Sequence, residues 1–183
     1  TMEYTCMKLK AYDSYCIPLG YDSDANWFIT MCEQLGIPYT SATAGKAHYL
    51  FNTDAHKEFV TTLNGWYNKK WVTTQGIYGS YTSGLFVESP EAAPNSMDAK
   101  GENAIVRSYM SIGSSAGASH QCPKVIDGKL AFNVGIASIP QIDATKGKVI
   151  SQGPSVCLLS NATEDEILAS WLFVKYLTTN VAF

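Results

Sequence analysis

Ser108-Tyr109-Met110-Ser111-Ile112-Gly113-Ser114-Ser115-Ala116-Gly117-Ala118-Ser119-His120-Gln121 is the stretch on which the reading of this 183-residue chain turns. Tyr109, Met110 and Ile112 are strand formers, the run stops at Gly113, and small residues then open a helical segment, which makes a strand-loop-helix junction. At such a junction the first N–H groups of the helix lack intrahelical partners and the helix dipole is positive, so an anion or a sugar hydroxyl is held there. Ser114, Ser115 and Ser119 add hydroxyls, while Gly113 and Gly117 let a ligand approach the backbone. The same stretch fits a second chemistry. Gly113-x-Ser115-x-Gly117 has the spacing of a nucleophile elbow, in which a hydrolase serine sits on a sharp strand-to-helix turn.

A serine nucleophile needs a histidine base and an acid to orient it, and in the elbow fold these follow the serine in chain order. His120 is the only histidine after Ser115. It comes five residues later with no acid between, on the segment that leaves the elbow. His48 and His56 precede the serine and serve only in another topological order. The binding loop is therefore the leading reading, and the serine hydrolase is the alternative.

Outward from this stretch, strands and helices alternate. Residues 1–10 read as the tail of a helix and residues 15–19 as a short strand. Asp22 and Ser23 are helix N-cap candidates. Trp27, Phe28, Met31, Cys32 and Leu35 lie on one helical face, which Gly36 and Pro38 end. That face reads as core. Residues 40–46 read as a Thr/Ser/Gly linker. Thr53-Asp54 opens a second helix with Phe59, Val60, Leu63, Trp66 and Tyr67 on its apolar side, and residues 72–100 read as irregular with one short helix. Beyond the serine stretch, Asp127-Gly128 marks a turn. Residues 132–137 and 156–159 read as strands. Thr163-Glu164-Asp165-Glu166 is a capping box that opens a helix whose stripe of Ile167, Leu168, Trp171, Leu172, Val174 and Leu177 suits packing on a sheet. This alternation predicts an α/β layered domain with at least partly parallel strands, taken as one domain over residues 1–183.

Composition narrows the function. The net charge is −3 and the 13 Lys/Arg residues are scattered, so the basic footprint of a nucleic-acid binder is missing. No apolar run approaches the roughly 20 residues that span a bilayer. Five cysteines (Cys6, Cys16, Cys32, Cys122 and Cys157) are dispersed without zinc-ligand spacing, and Cys32 and Cys157 lie in apolar patterns that suit buried thiols. His120-x-Cys122 is an isolated pair, and His48 and His56 read as solvated side chains, so no metal site is expected. Gly45-Lys46 lacks the rest of a phosphate loop, and Glu164, Asp165 and Glu166 are explained by the helix dipole. No cofactor is expected. What remains is a set of small polar loops at strand ends: Asp22-Ser23, the serine loop, and the loop of Gln152, Gly153 and Ser155. In an α/β sheet such ends converge on the ligand crevice.

Four ordered blocks carry a resemblance. They are Ser108-Tyr-Met-Ser-Ile-Gly-Ser-Ser-Ala-Gly117, Phe132-Asn-Val-Gly-Ile-Ala-Ser-Ile-Pro140, Val149-Ile-Ser-Gln-Gly-Pro-Ser-Val156 and Ala169-Ser-Trp-Leu-Phe-Val-Lys-Tyr-Leu-Thr178. In this order and at this spacing they resemble the family 1 extracellular solute-binding proteins of ABC importers, of the sugar and glycerol-3-phosphate type. The resemblance implies a periplasmic-binding-protein-like (type II) lobe with a mixed, mostly parallel sheet flanked by helices. It further implies that the chain corresponds to the second of two lobes, with most of the first lobe and the C-terminal helices outside it. The implied function is non-enzymatic capture of a sugar, oligosaccharide or glycerol phosphate by lobe closure, outside the cell as a membrane-anchored lipoprotein or in the periplasm. The implied partner is an ABC permease. Carried onto this sequence, the contacts fall on Ser114 or Ser115, with Gly117, and on Gln152, Gly153 and Ser155, beside Asp22 and Ser23. The family commonly adds an aromatic platform, for which Trp27 and Tyr81 are the candidates.

Overall fold

The computed structural model describes residues 1–43, 45–87, 106–153 and 155–180. The chain divides into two compact units, Thr1–Ile150 and Ser151–Phe183.

The first unit is built on a three-stranded parallel sheet in the order β4-β1-β5, with β1 at Leu19–Tyr21, β4 at Val72–Thr74 and β5 at Met110–Ile112. Leu19 pairs with Val72 on one side and Met110 on the other, and Tyr21 with Thr74 and Ile112. Side chains alternate between the faces of a strand, so Leu19 and Tyr21 share one face and Gly20 presents the other. On the Leu19 face, Leu19, Tyr21, Val72 and Trp27 form a buried cluster, with Met31, Leu63, Trp66, Met110 and Ile112 packed against it. Trp27 and Met31 come from α2 (Asp24–Leu35) and Leu63 and Trp66 from α3 (Asp54–Asn68), which therefore cover this face. A second cluster unites Ile17, Tyr78, Leu85 and Val106. On the Gly20 side a Cβ would come within 2.7 Å of the Thr82 Cβ, so the glycine is what lets the segment before α5 (Ser83–Val87) lie against β1.

Local chemistry sets the helix ends. Ser23 caps α2 by accepting from the Asn26 N–H, and Gly36 closes it in the left-handed region with φ 68°. Thr53 caps α3, and its hydroxyl lies 2.7 Å from His56 Nδ1. His56 is only 2 % exposed and stacks on Phe28, so the solvated reading of this histidine is corrected; His48 and His120 are exposed. The first helix, α1 (Met2–Tyr12), is tied to α3 through Trp66 Nε1, which donates to Glu3 Oε1 at 2.6 Å. Cys6, Cys16 and Cys32 are buried free thiols, and burial pushes Cys6 and Cys16 up to about 11. Cys157 is exposed, against its apolar sequence setting.

Several further expectations are corrected. The strand read at residues 15–19 lies at Leu19–Tyr21 instead, because Pro18 has no N–H to give the ladder. Its carbonyl still accepts from the Met110 N–H at 2.9 Å. The linker at residues 40–46 is half of an antiparallel hairpin, β2 (Thr40–Thr43) with β3 (Lys46–Tyr49), turned through Gly45 at φ 75°. The irregular region contains β4 and α4 (Gln75–Tyr78) as well as α5; residues 88–105 lie outside the described residues. Asp127 and Gly128, both at positive φ, turn the hairpin of β6 (Val125–Ile126) and β7 (Lys129–Leu130) as the sequence suggests.

Residues 132–137 do not form a strand. They join no ladder, and Ile136 is 99 % exposed. The following backbone is fastened by Gln34, whose amide nitrogen donates to Pro140 O at 3.1 Å and Lys148 O at 3.2 Å and whose Oε1 accepts from the Ile142 N–H. A side-chain clasp thus satisfies main-chain groups that a ladder would otherwise have taken.

The second unit contains α6 (Glu164–Asn180). Its capping box is present: the Thr163 N–H donates to Glu166 Oε2 at 2.8 Å and the Glu166 N–H to Thr163 Oγ1 at 3.4 Å. The Thr163 N–H, and then its hydroxyl, hold the Glu166 carboxyl below its ordinary value. Residues 156–159, read as a strand, join no ladder among the described residues and are exposed. Leu168, Trp171, Leu172 and Phe173 are exposed to between 51 % and 61 %, and no sheet exists among this unit's described residues for that stripe to cover. Among all described residues, no helix is long and apolar enough to cross a membrane.

Burial predicts opposite outcomes for two aliphatic truncations. Leu19→Ala, at the centre of the sheet, costs roughly 2–5 kcal/mol, whereas Ile136→Ala stays within about 0.5 kcal/mol. Urea unfolding midpoints of the two variants against the parent check this.

Candidate functional site

The carboxyl ends of the three parallel strands lie side by side, at Tyr21-Asp22-Ser23-Asp24, Thr74-Gln75-Gly76 and Ile112-Gly113-Ser114. The chain leaves β1 into α2, on the Leu19 face, and after β4 it reaches the Thr82 segment, on the Gly20 face. Neighbouring strands whose connections depart to opposite faces open a crevice at their carboxyl ends, the usual place for a ligand in an α/β sheet.

Two carboxylates organise this edge. The Asp22 N–H extends the sheet by donating to Ile112 O at 2.9 Å. Its side chain then serves two other segments. Oδ1 accepts from the Thr82 hydroxyl at 2.7 Å and the Ser83 N–H at 3.1 Å, and Oδ2 accepts from Gln121 Nε2 at 3.3 Å. Asp24, in the first turn of α2, accepts from the Thr74 hydroxyl and from the Gly76 N–H at 2.8 Å. Because the Thr74 hydroxyl is committed to Asp24, it makes no cap hydrogen bond to α4, which it precedes. Negative charge at this point is also favoured by the N-terminal dipole of α2.

The serine loop follows β5. Ser114 is the N-cap of a 3-10 helix at Ser115–Gln121, its Oγ accepting from the Ala116 N–H at 3.2 Å. Gly117 departs from helical geometry within it and is half-buried. Ser115 is exposed. A Cβ on Gly113 would collide with Gln121 Nε2 and lie 2.9 Å from Asp22 Oδ2, so the bare backbone of Gly113 is what admits the Asp22 to Gln121 contact.

The predicted site residues therefore separate. Asp22 and Ser23 are brought together with Ser114, Ser115 and Gly117 by the pairing of β1 with β5. Tyr81, 63 % exposed, stands next to Thr82 and so beside the same edge. Trp27 is corrected as a ligand platform: it is 6 % exposed and stacked between Tyr21 and Trp66, the core position its helical periodicity indicates. Gln152, Gly153 and Ser155 belong to the second unit and are exposed there. Sequence reasoning missed Asp24, Thr74, Gly76, Thr82 and Gln121. Val72-Thr73-Thr74, a run of three β-branched residues, is the signal that points to the strand end supplying two of them.

As an elbow the serine is poorly furnished. Among the described non-glycine residues only Lys70 and Asp127 have positive φ, so Ser115 is not held in the strained turn of a nucleophile elbow, and no hydrogen bond joins it to a histidine. Among the described residues no group of three or more His, Cys, Asp or Glu side chains is placed to hold a metal ion. The edge can offer hydroxyls, exposed N–H groups and an aromatic face. No family model, curated protein or solved structure matches the chain.

A double-mutant cycle measures how firmly the β4 end is fixed to α2. Asp24→Ala and Thr74→Val are each destabilising, and the pair shows a coupling of about 0.5–3 kcal/mol in chemical denaturation, the range for groups in direct contact. Additive effects would mean that the bond contributes nothing in solution.

Proposed function

We propose that this chain is the second lobe of an extracellular solute-binding protein of an ABC importer, with the type II binding-protein fold. In this reading it captures a sugar or related small polar solute without covalent chemistry and releases it unchanged to a membrane permease. The observation that carries the reading is the alignment of three parallel strand ends, whose polar loops are fastened to one another by Asp22 and Asp24 and bordered by the exposed ring of Tyr81. A sugar presents hydroxyls around its rim and an apolar ring face. Ser114, Ser115 and the adjacent backbone N–H groups would answer the first, and Tyr81 the second.

The order of the four sequence blocks supports the same family. Closure of an opposing lobe would exclude water. No step requires an acid-base pair or a metal.

Thermal-shift and calorimetric titrations of the full-length protein with sugars, oligosaccharides and sn-glycerol 3-phosphate test the proposal. The expected result is saturable, reversible binding of one class, with ligand recovered intact and affinity lost at least tenfold in Ser115→Trp. Covalent labelling of Ser115 by a fluorophosphonate, with turnover of an ester, would replace this reading by the hydrolase.

A further inference from the structure

We propose that the Asp22 carboxylate couples the turn at residues 81–83 to the serine loop, so that the two segments bordering the strand-end edge behave as a single body. The purpose assigned to that body rests on the binding function proposed above; the coupling itself does not.

The geometry divides one side chain between two segments far apart in sequence. Thr82 and Ser83 are 60 and 61 residues from Asp22, and Gln121 is 99 residues away. Each segment takes a different carboxylate oxygen. The turn is held by two donors on Oδ1, a hydroxyl and a main-chain N–H. The serine loop is held at its far end by the Gln121 amide on Oδ2, and among the described residues Gln121 Oε1 is buried without a partner, so there Asp22 is the side chain's single hydrogen-bonded anchor. Two glycines make this arrangement possible. Gly20 leaves room for Thr82 against β1, and Gly113 leaves room for the Gln121 amide beside Asp22.

Because a carboxylate is planar and rigid, a shift of one oxygen moves the other. Loosening the turn therefore costs the serine loop its anchor, and the reverse. Asp22 is thus a positioning residue. It sets the distance between the ring of Tyr81 and the hydroxyls of Ser114 and Ser115, and it has no need to touch a ligand.

Hydrogen-deuterium exchange on the ligand-free protein tests this. Thr82→Val removes a donor from the turn and none of the serine loop's own hydrogen bonds, yet exchange across residues 114–121 rises about fivefold, as expected for loss of one hydrogen bond's net stabilisation. Asp22→Ala removes both acceptor oxygens, so Gln121 loses its anchor and exchange rises across the same residues. The hairpin Thr40–Tyr49, which among the described residues shares no hydrogen bond with Asp22, stays at its parent rate throughout.

Faster exchange in the turn alone, with residues 114–121 at the parent rate, overturns the coupling. If Thr82→Val also accelerates the hairpin through general destabilisation, Gln121→Leu reads the coupling in the other direction: residues 81–85 exchange faster if the proposal is right and at the parent rate if it is wrong. Every readout is ligand-free. Absence of sugar binding would count against the proposed function and leave the coupling standing.

Discussion

The carboxylate of Asp22 is the constraint on which the strand-end edge depends. The strands of the sheet are three residues long, so each contributes few ladder bonds and cannot by itself hold the loops beyond it. Just past the end of the central strand, Asp22 continues the ladder with its N–H and redirects its side chain to two segments from opposite parts of the chain. A charged acceptor shared by several donors makes stronger bonds than a neutral one, which suits a position where short strands leave loops under-held. Asp24 repeats the device in the first turn of α2 for the end of β4.

Beneath this edge the packing is asymmetric in a useful way. Bulky side chains, Leu19, Tyr21 and Val72, all point toward α2 and α3, where Trp27 and Trp66 fill the space between helix and sheet. The other face of β1 offers only Gly20, and this allows Thr82 to approach closely enough to reach Asp22. The aromatic stack that removes Trp27 from ligand contact thus holds one face of the sheet, while Tyr81 stays exposed next to the residue anchored on the other face.

What was legible in the sequence was chemistry confined to a few neighbouring residues. Ser23, Thr53 and Thr163 announced helix starts because a cap is a contact across three residues, and Asp127-Gly128 announced a turn for the same reason. The edge strand β5 with its polar loop followed from residue type, and the alternation of strands with helices from periodicity. Pairing partners did not. Residues 132–137 and 156–159 have the composition of strands, but a strand exists only where another edge accepts it, and that is decided by residues far away. Conversely, Val72–Thr74 is too short to show a period, and Thr40–Tyr49 too polar to show an apolar face. The roles of Asp24, Thr82 and Gln121 depend on contacts between residues 50 to 99 apart, which no local pattern displays.

The function proposed for this edge is capture of a solute. The central claim is that ligand is received at the carboxyl ends of β1, β4 and β5. Amide chemical-shift mapping of the isotope-labelled full-length protein, titrated with maltose and with sn-glycerol 3-phosphate, tests that claim most directly. Capture at this edge predicts that one of these ligands moves the amides of Ser23, Gly76, Ser83, Gly113 and Ser115 together, in a single saturating transition. Shifts confined to the hairpin Thr40–Tyr49 or to α6, with those five amides unmoved at saturation, would contradict it.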